Sequence, residues 1–255
     1  MSPGARPCPA LEIAVTSPAG ARTARENGAD RVELCTGLEL GGLTPSAALV
    51  EAVVGEGLPV HVLVRCRPGD FVHDAQEIAL MAAEVRSVIA SGASGVVIGA
   101  LTDEGVLDTE ALARIAGAAR ATGRPVDITL HRAVDRSADP VATAALLPLL
   151  GLTRVLTSGG APAAADGLAT IAAMAAAAPE VEVMAGGGVR PADIPALTAA
   201  GVAAVHLSAK SRAPLRRGGT WVPLGDRGAS AEQDTHFVTD PAVVAEARRA
   251  LEAAA

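Results

Sequence analysis

The chain of 255 residues is 50% hydrophobic and 19% charged, with a formal charge of -7 at pH 7. That composition excludes a disordered chain, and the acidic balance argues against a nucleic-acid binder, which should show a basic stripe. Phe71, Trp221 and Phe237 are the three aromatic residues, so Val, Ile, Leu and 57 alanines must build the core; Lys210 is the one lysine beside 20 arginines.

Residues 1–10 read as a flexible tail without the apolar run of a signal peptide. From residue 11 onward, short runs of Val, Ile and Leu alternate with Ala-rich stretches of helical spacing, with a period of about 25 residues. Strands are expected at 11–15, 31–35, 60–65, 95–101, 126–132, 154–158, 181–185 and 204–209. Helices are expected at 18–27, 44–56, 74–91, 108–122, 139–150, 166–178, 191–200 and 240–253. Pro18, Pro45 and Pro140 sit where first helical positions want proline. Gly28, Gly92, Gly123, Gly151 and Gly201 follow helices, where a left-handed cap wants glycine.

Strict strand–helix alternation implies an all-parallel sheet. An open doubly wound sheet fits that pattern, but eight units in this length favour a closed (β/α)8 TIM barrel with outer helices. Residues 11–255 are read as a single domain, with a long loop at 211–238 after the eighth strand, at the barrel mouth. No apolar stretch is long enough to cross a membrane. Cys8, Cys35 and Cys66 are odd in number and irregularly spaced, which points to a reducing, cytoplasmic setting.

Side chains alternate along a strand. Leu11, Ile13 and Val15, or Val60, Val62 and Val64, would pack on helices. Glu12, Glu33, His61, Arg65, His131 and His206 would then face the barrel interior, where charges must pair. Glu12 and His61 lie toward the strand starts and read equally as a structural network. Residues at strand C-terminal ends are site candidates, because barrel sites form at that face. Glu33 and His131 are the acid–base candidates, with Asp135 available to orient the imidazole. Arg65, Arg67 and Asp70 could clamp an anion, with Arg132, Ser158, Ser208 and Lys210 nearby. The glycine runs Gly159-Gly160 and Gly187-Gly188 could offer backbone amides to phosphate or carboxylate.

Taken together, Leu11-Glu12-Ile13, the run from Asn27 to Cys35, Gly41 to Ser46, Gly69-Asp70-Phe71, Thr129 to Ala133 with Asp135, Val155 to Gly159, Met184 to Gly188, and His206 with Ser208 resemble the CutC family, named for copper homeostasis. The resemblance runs from about residue 11 to 250 and implies a TIM barrel that forms homo-oligomers. It also implies Cu(I) held by one cysteine on the first strand and one on the second. Cys35 matches the second position and Ala14 stands at the first; His206 is a further metal candidate. Cys66 stands where the family has a proline.

Three readings stay open: a copper-handling protein, an enzyme acting on a small anionic or phosphorylated metabolite, and a non-catalytic oligomeric binding module. None involves nucleic acid or a membrane.

Overall fold

The structure, a computed structural model, describes residues 8–214 and 235–254. Most of the expected tail and most of the stretch 211–238 lie outside the described residues. Eight parallel strands close into a barrel in chain order: β1 (Ala10–Val15), β2 (Arg31–Leu34), β3 (Val60–Leu63), β4 (Gly95–Ile98), β5 (Asp127–Leu130), β6 (Arg154–Thr157), β7 (Glu182–Gly186) and β8 (Ala204–Leu207). The ring shuts where Leu11 of β1 pairs with Val205 of β8. Around it lie α1 (Pro18–Glu26), α2 (Ala47–Val54), α3 (Ala75–Ala90), α4 (Thr109–Arg120), α5 (Pro140–Leu146), α6 (Leu168–Ala177), α7 (Ile194–Ala199) and α8 (Pro241–Ala254). This is a (β/α)8 TIM barrel. Past β8, a two-stranded antiparallel ribbon joins β9 (Lys210–Arg212) to β10 (Phe237–Thr239).

Strand alternation explains the two compartments. Ile13, Val32, Leu34, Val62, Val96, Ile98, Leu130 and Val205 belong to one large buried cluster with the helix faces. Their strand neighbours point inward, where apolar contacts shrink to two small clusters: Cys35, Leu63 and Val97, and Leu156, Met184 and Ala204.

Local signals set most helix starts. The Ser17 hydroxyl caps α1 at the Gly20 amide, 3.1 Å away, with Pro18 at the first position. Asp74 and Glu77 form a reciprocal capping box on α3. The Thr44–Pro45 expectation is corrected: α2 begins at Ala47 under a Ser46 cap. Thr44 is held elsewhere, because its hydroxyl accepts from the Arg65 amide at 2.9 Å and its own amide donates to the Arg65 carbonyl. The ladders are also shorter than the apolar runs. β3 stops at Leu63 and β5 at Leu130, so Arg65 and His131 stand beyond the paired strands, at the mouth.

Candidate functional site

A cavity of about 580 Å³ opens at the C-terminal ends of the strands. Glu33, Cys35, Arg65, His131, Arg132, Gly187, Gly188, His206 and Ser208 line it. So do residues without a role in the sequence reading: Phe71, Arg136, Leu38 and Leu40.

Below the cavity, the barrel interior holds a closed charge network. Glu12 on β1 accepts from Arg31 Nε at 2.6 Å and contacts His206 Nδ1 at 2.8 Å. His61 lies 3.6 Å from the same carboxylate and 3.5 Å from Asp127. Arg154 reaches Asp127 and Glu182. Burial alone would raise the Glu12 pKa, but His206, Arg31 and His61 overcome it and hold the carboxyl well below its usual range.

Glu33 stands one step higher on the same face of the ring. Its nearest cation is His206 Nε2 at 3.7 Å. Burial pushes its pKa up to about 7, opposed by the His206 charge and aided by Glu12. His206 is raised in turn: burial works against its charge, but Glu33 and Glu12 outweigh burial.

His131 leaves β5 as the N-cap of a short helical turn, Arg132–Arg136, and its Nδ1 accepts the Ala133 amide at 3.1 Å. That contact places the ring proton on Nε2, which is buried and has no hydrogen-bond partner among the described residues. Burial, together with the Arg65 charge, lowers its pKa to about 3, so the ring is neutral. Gly99 makes room for it, since a Cβ there would overlap the imidazole. The expected His131–Asp135 pairing does not form. Asp135 instead accepts from Arg132 Nε at 2.7 Å, Thr157 Oγ1 at 2.6 Å, and the Ser158 and Gly160 amides.

Asp135 therefore occupies the anion position expected of the loop after β6. The Gly159 amide is also taken, by Thr157 Oγ1 at 2.8 Å. Ser158 is fully buried, and its hydroxyl is bound to Arg132, Asp135 and the Ala161 carbonyl. Ser158, Gly159 and Gly160 thus brace the wall rather than line the cavity.

Arg65 is buried, and its guanidinium donates to the carbonyls of Leu40, Gly42 and Gly69 at 3.0–3.1 Å. Its Nε has no partner, and among the described residues no carboxylate comes within ion-pair distance. It lies 5.2 Å from the centroid of Phe71, with Arg136 at 5.5 Å and His131 at 4.7 Å from the same ring. Burial, then Arg136 and Arg67, lower the Arg65 pKa.

The expected clamp of Arg65 with Arg67 does not assemble. Arg67 turns outside to Glu77 and Asp70. Residue parity holds only within a strand, and the chain has left β3 after Leu63. Lys210 is exposed on the β9–β10 ribbon, 4.2 Å over Phe237, and does not line the cavity.

Cu(I) wants thiolates or thioethers, and the mouth does not supply them. Cys35 is its one thiol, buried against Leu63 and Val97, and burial with the Glu33 and Glu39 charges pushes its pKa up. Ala14 places a methyl at the position where the resemblance implies a second sulfur. Both His206 nitrogens face carboxylates. Glu12, Glu33 and His206 do bring ligand atoms within 4.8 Å of one another, but that is an oxygen–nitrogen set. These residues do not fit Cu(I).

Comparison with known proteins follows the same lines. The model of the CutC family matches residues 10–211. The family protein CutC of Xanthomonas campestris is 44% identical over 208 residues, covering 80% of this chain and 84% of the relative. That of Klebsiella pneumoniae is 39% identical over 254 residues, covering 95% and 98%. A solved structure from Streptococcus agalactiae, named as a copper homeostasis protein CutC, superposes with a TM-score of 0.73 at 26% identity, covering 78% of this chain and 98% of that one. Among the described residues no helix is long and apolar enough to cross a membrane.

Proposed function

The chain belongs to the CutC family, and from that premise we propose that its barrel mouth binds a small carboxylate- or phosphate-bearing metabolite and moves a proton on it. The observation that carries this reading is a pair of buried cationic and polar groups that the protein leaves unfinished. Arg65 and His131 line the mouth, and Arg65 Nε and His131 Nε2 are buried with no partner among the described residues. An unpartnered buried donor costs roughly 1–3 kcal/mol, more for a charged group, and an anion bridging the two offsets that cost. Arg65 supplies the charge, and neutral His131 donates through Nε2–H. Phe71, with Arg136 beyond it, forms an adjoining wall.

Glu33 is the proton-transfer group. A carboxyl with a pKa near 7 takes and gives protons at neutral pH, and His206, tied below to Glu12, is the relay behind it. Arg132 and Asp135 position the wall by holding each other and Ser158.

The test is thermal unfolding of the purified protein with inorganic phosphate, sulfate and small carboxylates. Binding at 100 times Kd should stabilise by about 2.7 kcal/mol. Arg65→Met should abolish the response, and Glu33→Gln should keep binding while losing turnover of any substrate found. No anion response in the folded wild type sinks the reading. Copper homeostasis enters through the family name. At this mouth, Cu(I) competition should find no stoichiometric tight site that Cys35→Ser removes.

A further inference from the structure

A second cluster of chemistry-bearing groups lies outside the mouth, where the loop after β3 meets the first turn of α3. Cys66, His73 and Glu77 each offer a ligand atom, and the three atoms lie within 4.8 Å of one another. We propose that these residues form a metal site for a borderline divalent cation of the Zn2+ class, with water completing the shell. This inference does not rest on the mouth reading.

Donor type comes first. A thiol sulfur, an imidazole nitrogen and a carboxylate oxygen are the three groups that Zn2+ takes, at about 2.3, 2.0 and 2.1 Å. In a tetrahedral shell those distances put ligand atoms about 3.5 Å apart. His73 Nδ1 and Glu77 Oε2 already stand 3.3 Å apart, and the remaining ligand atoms, within 4.8 Å, need to close by up to about 1.3 Å.

The second observation concerns His73. Its side chain has no exposed surface, and its Nε2 has no hydrogen-bond partner among the described residues. The nitrogen that faces Glu77 is Nδ1, so Nδ1 is the atom offered to a cation, and burial holds the ring in that orientation.

The surroundings are prepared on one side and open on the other. Arg67 donates to Glu77 Oε1 and the Asp74 amide donates to Oε2, which fixes the carboxylate's orientation. Cys66 and Glu77 are only partly buried, so the site has a path to solvent. Arg67 opposes the cation's charge, while Glu77 and Glu84 both bear on the Cys66 sulfur with negative charge. On binding, the thiol releases its proton to solvent and the sulfur bonds the metal as thiolate.

The experiment uses chelator-treated, full-length protein titrated with Co2+ as a spectroscopic probe, then displaced with Zn2+. One equivalent of Co2+ should produce a thiolate-to-cobalt charge-transfer band in the near ultraviolet. Cys66→Ser should abolish the band, Glu77→Gln should weaken binding at least about tenfold, and Cys35→Ser should change neither. Should Cys66→Ser fail to fold, the wild type decides: Zn2+ must slow alkylation of Cys66, mapped by mass spectrometry, and leave Cys8 unaffected. A missing band, a band that survives in folded Cys66→Ser or disappears in Cys35→Ser, or a Cys66 thiol that Zn2+ does not protect overturns the proposal.

Discussion

The lower barrel interior and the barrel mouth are built from the same alternation, yet they treat charge in opposite ways. In the interior, Glu12 answers Arg31, His61 and His206, while Arg154 answers Asp127 and Glu182. At the mouth, among the described residues, Arg65 is held by backbone carbonyls alone and His131 by one amide, and each keeps an unpartnered nitrogen. A buried charge needs partners. Where the protein provides them, the group serves the fold; where it withholds them beside a cavity, the group is available to a ligand.

Breaking the interior network should have the largest effect. Glu12→Ala leaves Arg31 and two histidines facing one another in the barrel interior without their shared carboxylate, and should cost about 3–5 kcal/mol in denaturant unfolding. A variant within 1 kcal/mol of wild type would mean that the interior charges are not coupled.

Next comes the space the mouth depends on. Gly99→Ala drives a methyl into the His131 ring and should cost about 1–3 kcal/mol. It should also remove the anion response, because the ring must move. Retention of both stability and response would show that the ring position is immaterial.

Acid should separate the regions further. His131 has a folded pKa of about 3, below its ordinary value of 6.5. The unfolded chain therefore takes up that proton first. Its contribution is fully present above pH 6.5 and is lost as pH falls toward 3, at up to about 1.4 kcal/mol per pH unit. His131→Gln should flatten that part of the stability–pH curve. An unchanged slope would mean the imidazole titrates normally.

The smallest effect belongs to the arginine that left the site. Arg67→Ala breaks half-exposed pairs with Asp70 and Glu77 and should change stability by less than about 1 kcal/mol. Loss of the anion response in that variant would return Arg67 to the binding machinery.

Much of this was legible before any coordinates. Apolar residues at alternate positions placed Ile13, Leu34, Val62 and Leu130 against the helices, and Glu12, Glu33 and His61 inside. Beyond the strand ends that logic expires. Arg67 shares parity with Arg65, but its chain is no longer extended in the sheet. The glycines after β6 read as an anion cradle, and nothing local said that Asp135, 25 residues before Gly160, would fill it. Gly99 carried a usable signal: it shares an inward face with Gly95 and Val97, so a missing side chain there implies a bulky neighbour.

The sequence by itself determined the repeat, the barrel and which side chains turn inward, because these follow from periods of 2 and 3.6 acting within a few residues. Tertiary structure alone decided which inward charges meet. Ring closure brings β8 against β1 and so seats His206 on Glu12, 194 residues away, while the loops past β3 and β5 leave Arg65 and His131 without a carboxylate among the described residues. Those pairings depend on how strands stagger around a closed ring, a property of the whole sheet and of no segment within it.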